Sequence, residues 1–361
     1  MVLCSVRGKR VLVTGAGGWL GGEIAGRLLA GGAEVAALLR RPGAVLGNDG
    51  RVVPVARTVL GDIALPRLGW ARDEWHAEAR RHDLVVHCAA LTRFDADPAL
   101  SHAANVEGTR AVAELVDAGQ GGLLHISTAY VNGTSDGLIS ERTRPQGGWN
   151  NVYEQTKAAA EAVIERAGIP AVIARPSIVL GDYATGRVRS FGTFYYLLKV
   201  LAEGRVAQMP AEPWATLNLV PVDYVADGVV ALLGRFAQAA GGVFHLVARD
   251  PTPLSAFPQT LSQFPGVSVP AFVAPRDFVP PPGRAFGRLV APYTPYFRRD
   301  PRFDDANFAR LTGLACPPIG ETWWKRLVSF AIAAGFVTQA SRTGPNGSAS
   351  EAAMPSSLGS R

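Results

Sequence analysis

Arg10-Val-Leu-Val-Thr14-Gly-Ala-Gly-Gly-Trp-Leu-Gly21 is the stretch from which the fold of this chain can be read. Residues 10–14 form a short, β-branched run of the kind that makes a buried parallel strand, and residues 20–29 carry the apolar periodicity of a helix. The turn between them needs glycine at three places. Gly15 takes the positive φ of a sharp turn, Gly18 lets backbone amides approach a bound pyrophosphate, and Gly21 lets the helix pack closely on the strand. The helix N-terminus then faces the phosphates of a dinucleotide. The spacing is G-x-x-G-x-x-G, and in a chain with 40 glycines it is the strand before and the helix after that give the turn its meaning.

Outward from this turn, short apolar runs at residues 34–39, 83–87, 123–127 and 171–175 alternate with helical stretches. Such alternation predicts an α/β fold: a Rossmann-type doubly wound parallel sheet with helices on both faces, and a smaller C-terminal substrate-binding region. After Gly181 the pattern changes. Amphipathic helices are expected at 191–204 and 221–235, and a strand at 242–247 that returns to the main sheet. Residues 250–300, dense in proline and aromatics, suit loops and short helices forming a lid over a pocket. A last helix is expected at 321–336. The expected organisation is a dinucleotide-binding core at 1–185, rejoined by 221–250, a mainly substrate-binding and lid region at 186–338, and a disordered Ser, Gly and Ala-rich tail at 339–361.

A chain of 361 residues with a net charge of +6 can bury a large core. The excess charge is mostly arginine, with no dense basic run or aromatic-interleaved patch that would suggest nucleic acid. Three cysteines, Cys4, Cys88 and Cys316, are too scattered for a disulfide framework or a zinc site, and the histidines lack metal-ligand spacing, so no metal is expected. Residues 1–9 read as lacking a signal peptide, and no apolar run approaches the roughly 20 residues of a membrane span. A reducing cytoplasm is the expected setting.

Tyr153-Glu-Gln-Thr-Lys157 carries the chemistry. Lys157 is one of only four lysines in the chain. On a helix over 153–166, positions four apart share a face, so the phenol and the ammonium can converge on one ligand. An ammonium beside a phenol favours phenolate, which predicts a Tyr153 pKa below its ordinary value of roughly 10 and a usable acid at neutral pH. The residues after the second strand, Arg40 and Arg41, stand where such folds distinguish the two nicotinamide dinucleotides. A carboxylate there binds ribose hydroxyls, whereas arginine pairs with a 2′-phosphate, so NADPH is expected.

These segments, with His87-Cys-Ala-Ala90, Asn105-Val-Glu-Gly-Thr109, Ser127-Thr-Ala-Tyr-Val-Asn-Gly133, Arg175-Pro-Ser-Ile-Val-Leu-Gly181 and Pro221-Val-Asp-Tyr-Val-Ala-Asp227, run in order across the first 230 residues. In them the chain resembles an extended short-chain dehydrogenase/reductase. Ser127 to Gly133 and Arg302-Phe-Asp-Asp-Ala-Asn307 make it similar to the thioester reductases and fatty acyl-CoA reductases within that superfamily.

The resemblance implies a cofactor turn of Thr14, Gly15, Gly18, Trp19, Leu20 and Gly21. It matches Asp62 and Ile63 to the adenine site, Ala89 and Ala90 to the strand end beside the ribose, and Pro176, Ser177 and Ile178 to the loop against the nicotinamide. Asn105 is matched to cofactor support or a water relay, with a helix cap as the plainer role. Thr128, rather than Ser127 beside it at the cofactor, takes the catalytic hydroxyl position, with Tyr153 as proton donor and Lys157 on the nicotinamide ribose. Phe191, Phe194, Tyr195, Tyr196 and Leu198 are candidates for an acyl pocket or for plain core. The implied activity is NADPH-dependent reduction of an acyl thioester, bound to coenzyme A or a carrier, to an aldehyde, or onward to an alcohol in a second turnover. The same scaffold also serves ketone or aldehyde reductases and nucleotide-sugar epimerases, and a non-catalytic dinucleotide-binding regulator is the alternative of another class.

Overall fold

Strand β1 (Arg10–Thr14) is buried from Val11 to Thr14 and leads into helix α1 (Trp19–Ala30). The structure is a computed structural model and describes residues 6–144, 148–280 and 290–339. Six further strands join β1 in one parallel sheet: β2 (Glu34–Leu39), β3 (Arg57–Leu60), β4 (Leu84–His87), β5 (Gly122–Ile126), β6 (Ala171–Pro176) and β7 (Val243–Leu246). Their spatial order is β7-β6-β5-β4-β1-β2-β3. Chain order therefore reverses at β1, and the crevice beyond the C-terminal ends of β1 and β4 is where ligands bind in sheets of this kind.

Alternate strand residues serve opposite faces of the sheet, as the pleat requires. Val11 and Val13 pack with Ile24 and Leu28 of α1 and with Val225, Val229 and Leu232 of a later helix. Leu12, Val85 and Leu123 pack on the other side with Val112, Leu115 and Ile164. That side is covered by α2 (Arg72–Ala79), α3 (Gly108–Gly119) and α4 (Val152–Ala167). A third buried cluster is built mainly from the second half of the chain, from α5 (Thr193–Ala202), α7 (Glu321–Ala333) and residues 206–219, 254–261 and 290–303.

The doubly wound fold agrees with the expectation, and β1 and β2 have the expected bounds. Strand β3 was not expected: it is a four-residue edge strand in which only Val59 is buried, too little apolar signal to detect. Helix α6 (Val222–Gly234) starts one residue late because Pro221 is its cap, and α7 stops at Ala333, just before Gly335 with φ +68°. Strand β7 lies beside β6 at the sheet edge. The tail expected to be disordered lies, apart from Gln339, outside the described residues. No helix among the described residues is long and apolar enough to cross a membrane.

Candidate active site

A cavity of about 870 Å³ follows the C-terminal ends of β1, β2, β4, β5 and β6. Its first wall is the glycine turn, where Gly15, Gly17, Gly18, Trp19, Leu20 and Gly21 face the space. Gly15 has φ +71°, and a Cβ on it would lie 2.6 Å from the Ala89 backbone nitrogen. A Cβ on Gly21 would meet the Gly15 carbonyl oxygen at 2.2 Å, so Gly21 admits the turn itself rather than the strand. Gly18 caps α1 in an extended conformation and makes no side-chain cap, so the first helical amides keep their orientation toward the cavity. The turn is thus a cradle that a Cβ would fill, and it fits a pyrophosphate. Gly22 is a further constraint that the spacing did not reveal: a Cβ there would meet the Leu46 carbonyl oxygen at 2.0 Å.

Beyond the turn the cavity is lined by Arg40, Asp62, Ile63, Ala89 and Ala90. Arg41 is exposed and does not line it, because the chain leaves β2 at Leu39 and only the first arginine still points along the trench. Thr14 lies beneath the wall instead of in it. Its hydroxyl bonds His87 Nδ1 at 2.8 Å and accepts from the Ala89 amide at 3.3 Å, bracing β1 against the end of β4. Asn105 is likewise withdrawn. Its Oδ1 accepts from the Leu91 amide at 2.7 Å, and its Nδ2 donates to the Leu91 carbonyl at 3.0 Å and to Thr156 Oγ1 at 2.9 Å. Both polar atoms of the amide are engaged in tying a π-turn (Ala103–Glu107) to Leu91 and to Thr156 of α4, and Asn105 does not line the cavity.

Midway along, Ser127, Thr128, Tyr153, Lys157, Pro176, Ser177 and Ile178 come together around the cavity. Ser127 turns its hydroxyl to Glu161 Oε1 at 2.5 Å, and Glu161 also takes a two-pronged contact from Arg175 at 3.0 and 2.7 Å. Thr128 caps the short turn after β5 by accepting from the Tyr130 amide at 3.3 Å, which leaves its hydroxyl proton available. Helix α4 presents Tyr153 one turn before Lys157; it starts at a cap in which Asn151 Oδ1 accepts from the Glu154 amide at 3.0 Å.

The expected lowering of the Tyr153 pKa is absent in this structure. Burial holds the phenol above its ordinary value, and the neighbouring Cys88 and Glu154 add to the effect. Among the described residues Lys157 makes no hydrogen bond to the phenol; its Nζ lies 3.0 Å from His125 Nε2. Burial pulls the ammonium down to about 8. The Cys88 thiol, also in the cavity wall, is pushed up to about 12 by burial and is not a nucleophile at neutral pH.

The far end of the cavity is apolar and aromatic. Phe94, Tyr130, Phe194, Tyr195, Leu197, Leu217, Tyr293, Tyr296 and Phe297 line it. Phe94 stacks between Tyr153 and Tyr296, with ring centroids 6.2 and 5.8 Å away. Of the acyl-pocket candidates, Phe194 and Tyr195 reach the cavity. Phe191 instead stacks on Phe336 at 3.9 Å, Leu198 is core, and Tyr196 is exposed, since a helix turns only one face to the pocket. Among the described residues Glu154 is the one carboxylate that lines this end. It is buried and accepts from the Asn150 amide at 2.8 Å and from the Tyr296 hydroxyl, and burial holds its carboxyl above the usual range. Phe94, Tyr293, Tyr296 and Phe297 had no sequence signal, since none belongs to a spaced motif, while Tyr130 and Glu154 lie inside quoted motifs but were not singled out there. His125 did have one, as a histidine inside a buried strand.

The chain is 29% identical over 268 residues to isonitrile lipopeptide synthase of Streptomyces coeruleorubidus, a match covering 68% of this chain and 18% of that protein. It is 25% identical over 265 residues to probable fatty acyl-CoA reductase 4 of Arabidopsis thaliana, covering 57% of this chain and 53% of that one. The chain thus spans at most about half the length of these relatives. Among solved structures, the terminal R domain from the myxalamid PKS-NRPS biosynthetic pathway has the same fold, with a TM-score of 0.79 at 24% identity over 92% of this chain and 93% of that one. The family model of the male sterility proteins matches residues 13–229, more than half the chain, and the chain belongs to that family.

Proposed function

We propose that this member of the male sterility protein family is an NADPH-dependent oxidoreductase that reduces an acyl thioester, carried by coenzyme A or a carrier protein, to an aldehyde or onward to an alcohol. One observation carries the reading. A single cavity joins a glycine cradle to an aromatic wall, with Thr128, Tyr153 and Lys157 at the junction. NADPH is chosen over NADH because Arg40 lines the trench at the end of β2 and can pair with a 2′-phosphate. We place the protein in the cytoplasm, with Cys88 and Cys316 as free thiols.

When bound, the dinucleotide supplies a hydride. The chain's own residues do the rest. Thr128 directs its free hydroxyl proton to the substrate oxygen, and Tyr153 donates its proton to that oxygen as negative charge develops there. A phenol held above its ordinary pKa stays protonated until substrate and cofactor charge act on it. Collapse of the resulting hemithioacetal breaks the carbon–sulfur bond, returns the proton from the oxygen and releases a thiol. The aromatic wall takes the acyl group and excludes water from the junction.

The test is NADPH consumption with acyl-CoAs, free aldehydes and ketones, with thiol release followed in parallel. The reading predicts one thiol per thioester reduced. Rapid reduction of ketones or aldehydes with no thiol from any thioester makes the protein a carbonyl reductase, and tight dinucleotide binding without turnover of any substrate makes it a regulator.

A further inference from the structure

Among the described residues Lys157 Nζ has one hydrogen-bond partner, and it is an imidazole: His125 Nε2 at 3.0 Å, with both side chains buried. His125 lies on β5 in register with His87 on β4, and the two rings are 5.2 Å apart. Proton inventory separates them. Thr109 Oγ1 gives its proton to the Asn105 carbonyl at 2.6 Å, so it must accept from His87 Nε2 at 3.1 Å. His87 Nδ1 is then left to accept from Thr14 at 2.8 Å. His87 is therefore a neutral ring satisfied at both nitrogens, and burial followed by the nearby Lys157 charge pushes its pKa down to about 3.

His125 is not satisfied. With Nε2 accepting from the ammonium, the ring proton sits on Nδ1, which is buried and has no hydrogen-bond partner. A buried orphan donor is costly, so a ring that serves only packing would be better replaced by an apolar residue. The other titratable groups around Lys157 offer it no hydrogen bond. Cys88 follows β4, Tyr153 and Glu161 share α4 with it, His87 lies behind His125, and the Glu161 carboxylate is held by Arg175 of β6 and by Ser127.

We infer that His125 is a positioning residue that holds the Lys157 ammonium in the cavity wall for the dinucleotide and for Tyr153. The inference rests on the reading of Lys157 given above. An acceptor favours the charged form of an amine, opposing the burial that draws Lys157 down to about 8. Without it a larger share of the amine is neutral around pH 7 to 8, which weakens its charge as a partner for the dinucleotide.

The chain has only four lysines, so the Lys157 titration can be followed by NMR with carbon-13-labelled lysine. The full chain is compared with His125→Leu, His125→Gln and Lys157→Met, alongside dinucleotide affinity and turnover. His125→Leu should lower the Lys157 midpoint by about one pH unit and weaken dinucleotide binding roughly threefold at pH 7.5, while His125→Gln, which keeps an acceptor, restores most of both. If the leucine variant does not fold, His125→Asn, polar but too short to reach Nζ, takes its place. An unchanged midpoint in a folded variant overturns the inference alone. Unchanged affinity and turnover in Lys157→Met overturns the reading of the site, and the role of His125 with it.

Discussion

At one end of the cavity the wall is Gly15 to Gly21, one continuous stretch of turn and helix start whose work is done by backbone; at the other it is Phe94, Tyr130, Phe194, Leu217 and Tyr296, side chains drawn from five separate segments. The first end is defined by what a Cβ would strike, the second by which rings arrive. A cradle for phosphate depends on local φ and close approach, so its chemistry survives any change in the rest of the sequence that keeps the strand and helix in place. An aromatic wall has no such local rule. Its shape depends on how α5 and residues 290–299 dock, so one fold can accept different acyl groups while keeping one cofactor.

Tyr153, at the junction, should show the largest effect. Tyr153→Phe is expected to reduce turnover by at least about 100-fold with dinucleotide affinity nearly unchanged, since only a positioned acid is lost. Near-normal turnover with chemistry rate-limiting would detach catalysis from both ends. At the cradle, Gly15→Ala places a side chain at φ +71° and against backbone, and should cost roughly 2–4 kcal/mol of stability together with dinucleotide binding. A denaturant midpoint equal to the parent's would show that the turn can relax. Arg40→Ala should weaken NADPH by about 1.5–3 kcal/mol and NADH hardly at all; equal losses for both would remove the assignment of NADPH.

At the aromatic end, Tyr296→Phe removes the hydroxyl that Glu154 accepts from and that Asn151 Nδ2 donates to at 2.8 Å. A loss of about 1–3 kcal/mol is expected, with acyl turnover reduced and dinucleotide affinity intact. A variant that instead loses dinucleotide binding would show that the two ends are not separable. The smallest effect is one of pH. The Lys157 pKa in the fold, about 8, lies below its ordinary value of 10.5, so between these values the folded state holds fewer protons than the unfolded one. Stability from this group therefore rises with pH across that window, while dinucleotide affinity falls as the ammonium is lost above about pH 8. Affinity flat from pH 7 to 9.5 would contradict it.

How much could be read in the sequence follows the same division. The strand and the helix that flank the glycine turn and the α4 helix with Tyr153 and Lys157 were legible because each depends on short-range periodicity or spacing, whereas Thr128 was singled out through the family resemblance. Arg41, Thr14 and Asn105 look like cofactor contacts by position, and the structure turns them to solvent, to His87 and to Leu91 with Thr156. A motif gives the place of a residue along the chain, whereas the direction of its side chain depends on which neighbour satisfies its polar atoms.

By itself the sequence determined a doubly wound parallel sheet, the glycine turn and the placing of Tyr153 and Lys157 one turn apart on one helix, since all three follow from periods of two and 3.6 and from the missing Cβ of glycine. Only the tertiary structure decided that His125, from a neighbouring strand, holds that ammonium, and that Phe94 and Tyr296 close the aromatic end around Tyr153. Those contacts join residues far apart in the chain, and burial, which raises the Tyr153 pKa and lowers that of Lys157, exists only once the layers have packed.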